Sequence, residues 1–568
     1  MGTLFLNCIV SPLPPKQSFR LRNKNDNYMS KKKLIVVNHN TSDSSLKSMA
    51  PYGALDTNKN SGQDASLMGK HNHEGIGIVN FLQGKTLLIT GATGYLGKVL
   101  VEKILRSVPE IDKLYLMIKA RKDKAAMEIL KTEIINADVF KCLKQKYGQS
   151  YQNFMLSKLV PVVGNICESD LGLEATMANV ISREVHVIIN SAANTRFNER
   201  YDVSIDTNTR GTFHLMNFAK YCKNLSLFLQ ISSAYANGPR KGIIMEKKFS
   251  MGDTITGEKS NSENRSTSLP ILNVEKEIQL AFDAIDTFQD NSLTQNLKKL
   301  GLERAERYGW HDTYAFTKAM GEMIIDSMRG EIPVVIIRPS IIESTYRDPF
   351  PGWIQGNRML DPLMVYYGKG QLTCFLADPN CVVDIVPADT VVNATLAAVA
   401  KHGMTREPVI NIYQVGSSVV NPLTLQELVT LVFEHFKCNP FLDSKGNPIN
   451  VTAPMKLCTS VEEFSTHLKT DVAKQREFMA MEFKNSKRPE IYAQKLMELV
   501  RQLATIYKPY GFYKGRFDCS NLQGLMENMS EEEKIEFGFD VKSIDWGHYI
   551  KNVHVPGLRM HVMQSHKM

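Results

Sequence analysis

Tyr314 and Lys318 stand four residues apart in "GWHDTYAFTKAMGEMII", and Ser232-Ser233 close the apolar run "LFLQIS" well before them. A phenol, an ammonium and a hydroxyl are the groups a carbonyl reduction needs. Hydride delivered to a carbonyl carbon leaves an oxyanion, which a phenol can protonate and a serine hydroxyl can hold. An unperturbed tyrosine, with a pKa of about 10, is poorly matched to neutral pH. A nearby ammonium is expected to lower it toward the range useful for acid-base work. Spacing alone decides nothing, because Tyr28/Lys32, Tyr115/Lys119 and Tyr510/Lys514 share it. Tyr28 lies in a polar leader, Tyr115 on an expected strand, and Tyr510 among Pro and Gly with no nucleotide fold before it. Tyr314 and Lys318 follow a serine-tipped strand and sit on an expected helix, where positions i and i+4 share a face.

The elements that must position these groups begin near residue 79. Short aliphatic runs alternate with longer segments of helical apolar spacing: "KTLLIT", "KLYLMIK", "KLVPVVG", "VHVIIN", "LFLQIS" and "PVVIIRP". Such alternation predicts βαβ units and a Rossmann-type, doubly wound parallel sheet of six strands. Between Ser233 and Tyr314 an insertion, about 240–310, combines the polar "TGEKSNSENRSTS" with the amphipathic "NVEKEIQLAFDAIDTF". Beyond about 400 the rhythm weakens, and "RPEIYAQKLMELVRQLATIY" predicts an amphipathic helix in a mainly helical C-terminal domain. Its apolar stripe, Leu496 to Ile506, fits either the main domain or a peripheral membrane contact. The expected units are thus a leader at 1–74, a catalytic domain at 75–400 and a C-terminal domain at 401–568.

The first strand runs directly into "TGATGYLGKVLVEKIL", which spaces Gly91, Gly94 and Gly97 at the entrance to a helix. Glycines there permit a tight turn and close approach of a pyrophosphate to free N–H groups at the positive end of a helix. At the end of the second strand, where an acidic residue would meet a free ribose 2′-hydroxyl, stands "MIKARKD". Lys119 and Arg121 welcome a 2′-phosphate instead, which favours NADP(H), and Lys318 can hold the nicotinamide ribose.

The 568 residues carry 68 Lys and Arg against 59 Asp and Glu, a formal +9 that is modest for this length. No basic block interleaved with aromatics suggests a nucleic-acid groove. Nine cysteines show neither paired nor zinc-ligand spacing, so no metal site is expected. No stretch reaches the roughly 18 apolar residues of a spanning helix. The first 25 residues contain Lys16, Arg20, Arg22 and Lys24 and no Asp or Glu, the character of an organelle transit peptide.

These segments resemble an extended short-chain dehydrogenase/reductase, and most of the chain resembles the plant alcohol-forming fatty acyl reductases of the male-sterility type. The resemblance runs through "GIGIVNFLQGKTLLITGATGYLGKVL", "INSAANTRFNERYD", "ERYGWHDTYAFTKAMGE", "VVIIRPSIIESTYRDPFPGWIQGNRM" and "VPADTVVNATLAA" to "GRFDCSNLQGLMENMSEEEKIEFGFDVKSIDWGHYI". It implies that Gly91, Thr93, Gly94, Tyr95, Leu96 and Gly97 border the NADPH phosphates, with Arg121 near the 2′-phosphate. It also implies Asn165 and Ile166 near the adenine, Asn190 and Ala192 along the cofactor, and Tyr314, Lys318 and Ser233 in catalysis. Asn165 stands where many relatives carry Asp, and Ser232 competes with Ser233 for the carbonyl. The implied reaction takes a fatty acyl-CoA or acyl carrier protein thioester to a primary alcohol in a plastid, through an aldehyde. Competing readings are a sugar-nucleotide epimerase or hydroxysteroid-type dehydrogenase, and a nucleotide-binding protein without turnover. A thiol nucleophile at Cys167, Cys222 or Cys374 lacks a local His partner.

Overall fold

Seven apolar strands pair side by side in parallel. They are β1 (Thr86–Thr90), β2 (Lys113–Ile118), β3 (Leu159–Val163), β4 (Val187–Asn190), β5 (Leu227–Ile231), β6 (Val334–Pro339) and β7 (Ile410–Val415), in the order β7-β6-β5-β4-β1-β2-β3. The computed structural model describes residues 75–262, 271–288, 292–443, 445–482 and 488–563. The central strands β1, β4 and β5 are buried throughout, as a sheet covered by helices on both faces requires. Strand order reverses between β1 and β4, which opens a crevice at their carboxyl ends. There Thr90 pairs with Asn190 and Asn190 with Gln230 in register. Thr90 Oγ1 donates to Asn190 Oδ1 at 2.6 Å, and Asn190 Nδ2 donates to Gln230 Oε1 at 2.8 Å.

The six expected strands are present, and β7 is a seventh that the sequence did not disclose. "INIYQV" alternates Asn411, Tyr413 and Gln414 with apolar residues and reads as weak. Its polar members have structural work: Gln414 Nε2 donates to the carbonyls of Ile244 and Asp518, both at 2.8 Å. The boundary expected at 400 therefore falls within the sheet-forming region, and residues 73–568 form one unit.

Helix α1 (Tyr95–Ser107) follows the glycine turn, and α2 (Thr313–Met328) carries Tyr314 between β5 and β6. The insertion covers the outer side of α2. Its helices Val274–Thr287 and Leu293–Tyr308 share an apolar cluster with Phe316, Met320 and Ile324 of α2. At its centre the buried Glu277 accepts from Tyr201 at 2.8 Å and Tyr308 at 3.1 Å and pairs with Arg304. The amphipathic helix is thus present, while 263–268 of the polar segment lie outside the described residues, as does the leader at 1–74.

The predicted C-terminal helix is α3 (Arg488–Gly511). Leu496, Val500 and Leu503 on its stripe are buried inside the protein, so this face is spent on packing and not offered to a membrane. Among the described residues no helix is long and apolar enough to cross one. After α3 the chain returns to the sheet region, where Gly515–Phe517 pairs in parallel with Gly242–Ile244 from the start of the insertion. Near the other end, the Glu533 carboxylate accepts the backbone N–H groups of Ile76, Gly77 and Ile78 at 2.7, 2.7 and 2.8 Å.

Candidate active site

The glycine turn fits a pyrophosphate by construction. Gly91 has φ +72°, and a Cβ there would come within 2.7 Å of the Ser191–Ala192 backbone after β4. A Cβ on Gly97 would collide with the Gly91 carbonyl oxygen, so α1 can lie this close only with glycine at both places. Gly94 caps α1 without a side chain, leaving the first-turn N–H groups of Tyr95, Leu96 and Gly97 with no helical partner. An anion is the complement of such an end.

Other expected cofactor residues take more specific places. Thr93 and Leu96 are half-buried at the turn, and Arg121 is exposed just past the end of β2, as is Lys119. The Tyr95 side chain turns away from the crevice: its hydroxyl donates to the Glu343 carbonyl at 2.8 Å and its ring stacks on Trp353. Only its backbone faces an anion. Asn190 is buried and its amide is consumed by Thr90 and Gln230, so it too offers backbone alone. Ala192 N–H donates to Thr90 Oγ1 at 3.1 Å. Asn165 closes its own turn, with Nδ2 on Glu168 and Oδ1 accepting from Cys167 N–H. Ile166 is buried beside it, its carbonyl 2.9 Å from His214 Nδ1.

The reactive groups form a ladder between α2 and the tip of β5. Tyr314, Lys318 and Glu322 follow at i, i+4 and i+8 on one face of α2. Opposite them stand Ser233, Ile231 and Ser232. The Tyr314 phenol hydrogen-bonds to Ser233. Lys318 Nζ donates to the Ile231 carbonyl at 2.9 Å. Ser232 Oγ donates to Glu322 Oε1 at 2.5 Å. Glu322 in turn forms a fully buried, forked pair with Arg338 of β6, Nη2 to Oε2 at 2.5 Å and Nε to Oε1 at 3.0 Å. Ser232 is thereby committed to the ion pair, and Ser233 is the serine facing the phenol. Sequence reading missed Glu322 and Arg338. The available signal was a charge inside each of two otherwise apolar elements, "VVIIRP" and "AMGEMII".

The electrostatics differ from expectation. Burial pushes the Tyr314 phenol up to about 12; the Ser233 hydrogen bond opposes this and the Asp312 charge adds to it. Burial pulls the Lys318 amine down to about 8, against the attraction of Glu322. Lys318 spends its donor on Ile231 and does not draw the phenol toward neutrality. Tyr314 is a protonated phenol poised to give a proton. The cysteine alternatives fare worse: burial raises Cys167 to about 11 and Cys222 to about 12, and raises Cys374 further.

Tyr510, discounted on sequence, stands at this site without its Lys514, which is exposed beyond the end of α3. Its ring centroid lies 5.0 Å from Phe197, and Phe197 is edge-on to Tyr314 at 5.7 Å. Its hydroxyl donates in a very short bond to Asp312 Oδ2, while Asp312 Oδ1 caps α2 by accepting from Ala315 N–H at 2.7 Å. Tyr510 and Tyr235 also border an apolar cavity, whose walls include Met364, Phe375, Leu428 and Val432. Arg338→Met, which leaves Glu322 buried and unpaired, is expected to cost about 3–5 kcal/mol of folding stability, measured by urea unfolding.

Comparison with known proteins accords with this geometry. An NAD-binding model described as male sterility protein matches residues 89–395, and a second model of the same description matches 480–565. The chain is 57% identical over 509 residues to fatty acyl-CoA reductase 2, chloroplastic, of Arabidopsis thaliana, covering 88% of this chain and 82% of that protein. It is 39% identical over 498 residues to the alcohol-forming fatty acyl-CoA reductase of Simmondsia chinensis, covering 86% and 99%. Among solved structures it is similar in fold to the terminal R domain from the myxalamid PKS-NRPS pathway, with TM-score 0.53 and 15% identity over 85% of this chain and 92% of that one. A dinucleotide turn, a Ser-Tyr-Lys ladder and these long matches converge: the chain belongs to the male sterility protein family, the family of the plant fatty acyl-CoA reductases.

Proposed function

We propose that the protein reduces long-chain fatty acyl thioesters to primary alcohols with NADPH, and that it works in a plastid. The observation that carries the reading is the Ser233, Tyr314 and Lys318 array at the tip of β5, next to which Tyr510 packs on Phe197 and also lines an apolar cavity. Reductases of small polar ketones or sugar nucleotides have no use for walls of Leu, Val, Met and Phe. The plastid assignment follows the label of the Arabidopsis relative and the acid-free, basic start of the leader.

When bound, the nicotinamide supplies hydride to the carbonyl carbon. The protein's residues manage the oxygen and the proton. Ser233 hydrogen-bonds the carbonyl oxygen, and Tyr314 donates its proton as negative charge develops there. Collapse of the hemithioacetal expels the thiol and leaves an aldehyde, which the same two side chains serve in a second reduction. Lys318, fixed by the Ile231 carbonyl, would use its remaining N–H groups to hold the nicotinamide ribose. Lys119 and Arg121, both exposed and basic past β2, are the residues that would hold the 2′-phosphate that distinguishes NADPH.

Three outcomes test this reading. Incubation with a long-chain acyl-CoA should consume about two NADPH per alcohol formed, and Tyr314→Phe should lower the rate by about 10²–10⁴-fold while NADPH still binds. Absence of thiol release at every chain length refutes it. Arg121→Ala should weaken NADPH binding about tenfold or more and leave NADH binding nearly unchanged, by fluorescence titration. The Lys318 ammonium is present below its pKa of about 8 and is lost above it. The rate should therefore fall as pH rises through 8, and Lys318→Arg, which stays charged, should remove that limb from the pH profile.

A further inference from the structure

We propose that Tyr510, delivered by the C-terminal helix α3, is a positioning residue for the reduction: its hydroxyl grips Asp312 and so fixes the first turn of α2, which carries Tyr314, while its ring lines the apolar cavity. The proposal rests on the reductase reading above and adds a residue to that site from outside the dinucleotide fold.

Asp312 divides its carboxylate between two elements. Oδ1 accepts from Ala315 N–H and starts the helix, and Oδ2 accepts from Tyr510. Among the described residues, the other side chain at Oδ2 is that of His311, whose Nε2 lies at 3.2 Å. Burial lowers the His311 pKa, so at neutral pH it cannot replace Tyr510 as a charged partner. Loss of the Tyr510 hydroxyl leaves a nearly buried carboxylate oxygen underpaired, two residues before Tyr314. The Asp312 charge already opposes formation of the Tyr314 phenolate. A hydrogen bond from Tyr510 draws that charge away from the phenol and toward α3.

The ring does a separate task. It packs against Phe197 and, at 5.0 Å, against Tyr235, and forms part of the cavity wall. Tyr510 is not itself the proton donor, since its hydroxyl proton is engaged by the Asp312 carboxylate. Removing the hydroxyl while keeping the ring therefore separates helix positioning from substrate packing.

The test uses the full chain with NADPH and a long-chain acyl-CoA. Wild-type turnover comes first: without thiol release the reductase reading fails, whatever Tyr510 does. Given turnover, Tyr510→Phe is expected to lower kcat by about 10–100-fold, with KM for the thioester and Kd for NADPH within about twofold of wild type. Asp312→Asn keeps the helix cap, and the double variant Tyr510→Phe/Asp312→Asn should be no slower than the slower single variant, because both act through one contact. A kcat within about twofold of wild type overturns the proposal. So does a loss of rate that comes with equal loss of NADPH binding and a lowered Tm, which marks mere fold support. Multiplicative losses in the double variant overturn the route through Asp312.

Discussion

The buried pair of Glu322 and Arg338 fixes the reactive face more than any other contact. Each charge is fully enclosed, and neither tolerates enclosure without the other. Because the pair joins α2 to β6, it sets how α2 is rotated and how far it sits along the sheet. One turn of helix up from Glu322 is Lys318, and one more is Tyr314, so a single ion pair determines that both meet the tip of β5. The same carboxylate claims Ser232, which leaves Ser233 for the phenol. Two adjacent hydroxyls acquire different duties from a residue ninety positions away.

The second constraint is enclosure. The Tyr314 ring meets Phe197 after β4, and Phe197 continues into an aromatic chain through Tyr510 at the end of α3 to Tyr235 after β5. Burial keeps the phenol protonated, which suits a group that donates protons to oxyanions in a dry pocket. The insertion supports this arrangement from behind. Its helices seal the outer side of α2 with Glu277, Arg304 and Tyr308, so the long gap between Ser233 and Tyr314 is the material of a buttress.

Much of the scaffold was legible because its strands are continuous apolar runs and its glycines stand at a strand-to-helix junction. β7 was not, since Asn411 and Gln414 interrupt its apolar run, and the Gln414 side chain answers to partners far away in sequence. Ser233 could not be separated from Ser232, because the choice is made by Glu322 and Arg338. Tyr510 was set aside by a correct local argument, as it forms no couple with Lys514. Its importance lies in a bond to Asp312, 198 residues earlier, which no local spacing encodes. The expected lowering of the Tyr314 pKa by Lys318 failed for a related reason: residues one turn apart share a face, yet Lys318 is pointed at the Ile231 carbonyl.

The grip of Glu533 on Ile76, Gly77 and Ile78 imposes an order of events on the making of this protein. A chain emerging from its N-terminus exposes those three N–H groups first and their acceptor more than four hundred residues later. Asp312 likewise waits for Tyr510, and β7 for the carbonyl of Asp518. A chain interrupted after the sixth strand holds the glycine turn, the phenol and the lysine, but neither the clasp at its beginning nor the aromatic wall at its reactive end. Such a fragment has the reagents of a reductase and no finished vessel for them.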